Sequence, residues 1–102
     1  MNMFKAIILL KRRDDMTHDE FAAWWLDEHS PMVLDLPGVR RACFNLADDG
    51  GAYDGVSELW FDTQADFEAA YATEHGMAVA ADSMAHVSSR DRLFVSEHMI
   101  VE

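Results

Sequence analysis

The chain has one cysteine, two prolines and only 8 basic residues, and each scarcity removes a class of protein. Cys43 alone cannot form an internal disulfide, and its place in an expected strand makes it a buried, inert thiol. Against the 8 Lys and Arg stand 19 Asp and Glu, a formal net charge of −11. Nucleic-acid binding rests on neutralising phosphates, so such a partner is excluded, and an anionic membrane surface is disfavoured for the same reason. No apolar stretch approaches the ~20 residues of a membrane span. The apolar run at residues 6–10 is too short for a secretory core, so the expected location is the cytoplasm. There is no Gly-x-Gly-x-x-Gly fingerprint, no Walker loop and no Gly-x-Ser-x-Gly elbow. His18, His75, His86 and His98 never pair at the spacing of one helical turn, and the cysteine is isolated. Neither a metal nor an organic cofactor is expected.

What is present is a single domain over residues 1–102, half of it hydrophobic. A first strand is expected at residues 3–12. Thr17-His18-Asp19-Glu20 fits a capping box, with Asp19 and Glu20 suited to the positive start of a helix. That helix carries Phe21, Trp25 and His29 four residues apart, on one line of its surface. Pro31 removes an amide donor and disfavours helical geometry at Ser30, so a kink or break is expected there. Strands follow at 39–47 and 56–61, separated by the loop Asp48-Asp49-Gly50-Gly51. Asp54-Gly55 is expected to shape a turn, glycine permitting positive φ. Asp62 or Thr63 caps a helix running to about residue 72. Residues 74–86 suggest a further helical piece interrupted near Gly76, and the last strand is expected at about 92–100.

The order strand, helix, strand, strand, helix, strand is the split βαβ, or ferredoxin-like, plan of an α+β protein. It predicts a four-stranded antiparallel sheet with the helices on one face. The first and last strands are nearly continuously apolar, whereas a sheet wet on one face should alternate. The open face is therefore expected to meet a second copy of the chain.

One stretch concentrates chemistry. His29 can carry a proton near neutral pH and shares its helix face with Trp25, an apolar wall. The competing role is a histidine capping helix carbonyls at the edge of the core. Glu58, flanked by apolar residues in the third strand, is a second catalytic candidate. It could orient a ligand, partner a histidine, or simply form a salt bridge to a neighbouring cation. Alternation sets Glu58 and Trp60 on one face and Leu59 and Phe61 on the other, so Glu58 points away from His29 if helices cover the Leu59 face. Phe21, Trp25, Leu59 and Phe61 are candidates to enclose a ligand, and Tyr53 to close its mouth.

The chain resembles the EthD family, named for a protein of ethyl tert-butyl ether breakdown, within the wider dimeric α+β barrel group. The matching pieces are Leu10-Lys11-Arg12-Arg13, Met16 to Phe21, His29-Ser30-Pro31, Leu36 to Arg41, Tyr53 to Phe61, and Glu97. The resemblance implies a homodimer with sheets packed face to face and a pocket between helices and sheet. Relatives include muconolactone-type isomerases, decarboxylase- or dehydratase-like tailoring enzymes and cofactor-independent oxygenases. In a methylmuconolactone isomerase of similar plan a histidine at the position of His29 belongs to the active site. Ala42 and Leu59 stand where that enzyme has a tyrosine and a cysteine. Two functions are thus expected: a cofactor-free enzyme acting by acid–base chemistry on an apolar aromatic, polyketide-like or lactone compound in catabolism or tailoring, or a non-catalytic binder serving a monooxygenase system.

Overall fold

In β1 (Phe4–Arg12), Ala6, Ile8 and Leu10 are buried while Ile7 and Leu9 are half-covered. That period of two gives the strand two unlike faces. The computed structural model describes residues 3–102. In it β2 (Arg41–Leu46), β3 (Gly55–Phe61) and β4 (Val87–Val95) complete a four-stranded sheet of order β2-β3-β1-β4. All three pairings are antiparallel. This is the ferredoxin-like α+β plan that the order of elements predicts.

The first crossover begins with α1 (His18–Ala23), where Thr17 and Glu20 form the expected capping box. The helix does not break at Pro31. It widens into a π-helical turn (Trp24–His29) and continues as α2 (Ser30–Leu34), with Pro31 in the first turn of that segment. The Ser30 amide reaches back five residues to the Trp25 carbonyl, and the Ser30 hydroxyl donates to the Leu26 carbonyl at 2.7 Å. Proline normally clashes with the carbonyl four residues back. The wider turn immediately before it lets the helix pass through.

The second crossover is α3 (Gln64–Ala72) and α4 (Glu74–His86), joined at Thr73, whose hydroxyl accepts from the Gly76 amide at 2.9 Å. Gly76 does not interrupt α4. A Cβ there would stand 2.0 Å from the Ala70 carbonyl oxygen, so the glycine permits close approach of the two helices. Gly55 is likewise a strand residue rather than a turn, and its backbone φ is not positive. Its missing Cβ makes room for the Trp25 ring, which would lie 2.7 Å away. The final strand is displaced from the expected position: it ends at Val95, and Met99, Ile100 and Val101 lie exposed in an unpaired tail.

The helices cover one face of the sheet. Ala6, Ile8, Leu10, Leu59 and Phe61 meet Phe21, Trp25, Phe67 and Val79 there, in one continuous core. Register places Lys5, Ile7 and Leu9 of β1 with Trp60, Glu58 and Val56 of β3 on the opposite face. Leu93 and Cys43 share that side. Cys43 is half-exposed in the single chain, not buried.

Candidate functional site

The π-turn decides what surrounds His29. In an α-helix two residues five apart point about 140° from each other. The wider turn instead buries Trp24, Trp25 and His29 together. The Trp24 and His29 rings lie 5.0 Å apart. From α4, Asp82 reaches across to both: its Oδ2 accepts from His29 Nδ1 at 2.7 Å and from the Trp24 indole N–H at 3.1 Å. His86, one helical turn further along α4, stacks on Trp24 at 4.2 Å. The carboxylate fixes the imidazole proton on Nδ1 and leaves Nε2 with its lone pair. Nε2 lies 3.2 Å from the Ser83 hydroxyl, which donates to it in that tautomer. Burial is the largest influence on the His29 pKa and lowers it, while Asp82 pulls the other way without prevailing. The ring is therefore a neutral base at pH 7.

His29 and Ser83 line a hollow between helices and sheet, walled by Ile8, Leu10, Trp25, Leu59 and Phe44. The space open to the centre of a water molecule is ≈ 10 Å³, room for about one water. Val33 and Phe44 line both this hollow and an outer groove of ≈ 220 Å³, shared with Ser30, Leu34 and Ala42. Phe44 lies flat on Trp25, with ring centres 4.4 Å apart. Tyr71, Arg90, Ser57 and Ala80 also line the hollow. Burial raises the Tyr71 phenol and lowers the Arg90 guanidinium from their ordinary values.

Of the residues expected at the site, His29, Trp25 and Leu59 come together on the hollow. Phe21 and Phe61 are fully buried behind it, against Trp25 and Phe67 respectively. Tyr53 lies elsewhere, its hydroxyl donating to Asp91 at 3.0 Å. Glu58 is on the opposite sheet face, as the alternation of β3 implies, and does not join His29 within one chain. It pairs with Lys5 at 2.8 Å and accepts from Asn45 at 3.1 Å. The Lys5 ammonium is the main reason the Glu58 carboxyl is lowered. Asp82, Ser83 and Tyr71 were not singled out by sequence pattern.

A second polar cluster lies at the C-terminal end of β1. Asp54 is buried and accepts from the Arg12 amide at 2.9 Å, the Arg12 guanidinium at 2.8 Å and the His18 ring at 2.9 Å. Burial is the largest single influence on this carboxyl and would raise it, but these bonds together hold it below the ordinary range. His18, Asp49 and Asp54 bring ligand-type atoms within 4.8 Å of one another. The Arg12 guanidinium already occupies that position, 3.5 Å from Asp49, and supplies the positive charge.

The EthD domain model matches residues 13–89. No curated protein matches the chain. Among solved structures, an ethyl tert-butyl ether (EthD) family protein from Bacillus halodurans is 21% identical with a TM-score of 0.80, over 94% of this chain and 99% of that one. SnoaB, a cofactor-independent oxygenase from Streptomyces nogalater, is 14% identical with a TM-score of 0.75, both chains covered completely. A hydroxynitrile lyase from Passiflora edulis is 10% identical with a TM-score of 0.73, over 98% of this chain and 97% of that one. These likenesses carry the fold, and the domain match over residues 13–89 carries the kinship: the chain belongs to the EthD family.

Proposed function

We propose that the protein is a small cofactor-independent enzyme that uses His29 as a general base or acid on an apolar small molecule, of aromatic, polyketide-like or lactone type. One observation carries this reading. An imidazole held by Asp82 on Nδ1 lines the hollow, its Nε2 bonded to the Ser83 hydroxyl that lines it too. A ligand that takes the place of that bond meets a proton-transfer group already oriented. Asp82 is a positioning residue, fixing tautomer and orientation. Trp25 and Leu59 form the apolar wall. A substrate larger than water needs the hollow to widen, and movement of Val33 and Phe44, which line both spaces, would join it to the outer groove. Proton transfer of this kind serves isomerisation, dehydration, decarboxylation or oxygenation equally well. SnoaB and the hydroxynitrile lyase show that this fold hosts small-molecule enzymes.

The assembly that goes with this reading is a homodimer through the open sheet face. Ile7, Leu9, Val56 and the exposed Leu93 share that side of the sheet. Among the described residues no helix is long and apolar enough to cross a membrane, and cytoplasmic location is part of the proposal.

A second reading is favoured by the outer groove, which offers far more room than the hollow. A ligand seated there would never reach His29, as in a non-catalytic binder or an accessory protein of a monooxygenase system. Lactones and aromatic ketones, screened by thermal shift and then for turnover, separate the two. A bound compound raises the melting temperature by mass action. The enzyme reading requires that His29→Gln abolish turnover of a bound compound. Unchanged affinity and no turnover in either protein favour the binder.

A further inference from the structure

Among the described residues, two buried polar side-chain atoms have no hydrogen-bond partner: Trp25 Nε1 and Arg90 Nε. Both are donors, and both residues wall the hollow that His29 lines. Buried donors are ordinarily satisfied, so two orphans on one hollow single it out. Arg90, like Lys11, Arg41 and Arg92, pairs with no carboxylate, but among the described cations it alone has a buried donor without a partner. Arg12, Arg13 and Arg40 each hold a carboxylate within 2.8 Å, and Lys5 holds Glu58 at 2.8 Å. In a molecule with a net charge of −11, no acid among the described residues pairs with Arg90. Its place is set by register: it lies opposite Leu10, on the helix-covered face of the sheet. Besides burial, Tyr71 and Arg92 act on the Arg90 guanidinium, and neither a phenol nor a second guanidinium is an anion at pH 7.

We infer that Arg90 is the anion-binding residue of the His29 hollow, and that the natural ligand presents a negatively charged oxygen to its guanidinium, with Trp25 Nε1 as an accessory donor. This rests on the proposal that the hollow is the ligand site, and it narrows the ligand class. A neutral hydrocarbon or simple ether leaves the cation unmatched. A carboxylate, or the ionised oxygen of an enol or phenol, matches it with charge-assisted hydrogen bonds. The two groups also fit one proton transfer. When His29 Nε2 takes a proton from carbon next to a carbonyl, the C–H electron pair shifts to form the enolate. The charge comes to rest on oxygen, where a fixed cation stabilises it most.

The test is calorimetric titration with benzoate and 4-nitrophenolate, with benzamide as the neutral control. The wild-type protein should bind an anion at least tenfold more tightly than benzamide. Arg90→Met should remove that preference and leave benzamide affinity unaltered, while Arg90→Lys keeps part of it. Tighter benzoate points to a ligand carboxylate, and tighter 4-nitrophenolate to an ionised enol or phenol. Absence of anion binding by the wild type, or equal anion affinity in folded Arg90→Met, overturns the inference. The Arg90 Nε–H resonance of the wild-type protein gives a readout independent of variant folding. It should move with benzoate and stay fixed with benzamide, and a fixed resonance with both overturns the assignment. The parent proposal fails separately. Arg90-dependent anion binding without any His29-dependent turnover leaves the anion site standing in a binding protein. Turnover that requires His29 without Arg90-dependent anion binding removes the anion site alone.

Discussion

Oδ2 of Asp82 accepts two hydrogen bonds, from His29 Nδ1 at 2.7 Å and from Trp24 Nε1 at 3.1 Å. A single carboxylate oxygen on α4 thus ties together the two rings that the π-turn brings to one side. Both the tautomer of His29 and the docking of α4 on the first crossover depend on it.

Replacing Asp82 should therefore change the imidazole before it changes the fold. In Asp82→Ala the attraction that partly offsets burial is gone together with both hydrogen bonds, so the His29 pKa falls further. The proton no longer has a preferred seat on Nδ1. Nitrogen-15 NMR of the ring reads both effects. A wild-type tautomer and pKa in the variant would mean that the contact does not govern the ring. Loss of the two bonds should destabilise the fold by about 1–3 kcal/mol in urea titration.

The lowered His29 pKa also sets a pH dependence. The unfolded chain takes up a proton at about pH 6.5, and the folded chain only at a lower pH. Between those values the unfolded state binds more protons, so stability rises with pH. The stabilisation is complete above about pH 6.5. It is lost as pH falls to the folded value, with a slope of at most about 1.4 kcal/mol per pH unit. Denaturation curves for wild type and His29→Gln between pH 8 and 5 should diverge only on the acid side. Parallel curves would show that His29 titrates alike in both states.

Asp54 should behave as the buried partner of a charge network. Asp54→Ala strands the Arg12 guanidinium beside a half-empty polar site and removes an acceptor from the Arg12 amide and from His18. A loss of about 3 kcal/mol follows. Removing the exposed partner instead, by Asp49→Ala, should change stability by less than about 1 kcal/mol. Urea midpoints of the two variants decide between this ranking and its reverse.

Gly55→Ala should move Trp25. The added methyl would lie 2.7 Å from the indole, and overpacking of this kind costs about 1–3 kcal/mol. Because Trp25 walls the hollow, tryptophan fluorescence and ligand binding should change together, and an unaltered emission spectrum would contradict the packing.

Dimerisation is testable at Leu93. Leu93→Arg should leave the monomer fold intact, since the side chain is 52% exposed in one chain, and should shift sedimentation from dimer to monomer. A wild-type protein that sediments as a monomer at micromolar concentration would remove the proposed interface.

Much of this protein was determined by sequence alone. The succession of strands and helices along the chain followed from apolar runs separated by turn residues, and the Thr17 capping box marked where α1 begins, because these signals act within a few residues. The burial of Trp25 and His29 followed from spacing on one helix. Tertiary structure decided the rest. Asp82 lies 53 residues from His29 in the chain, and periodicity says which face of α4 is covered without saying which side chain it meets. The π-turn, the continuity of α4 through Gly76, and the place of Gly55 beneath Trp25 arise from contacts between elements. So does the seat of Arg90 opposite Leu10, because strand register is fixed by packing of the whole core rather than by the strand's own residues.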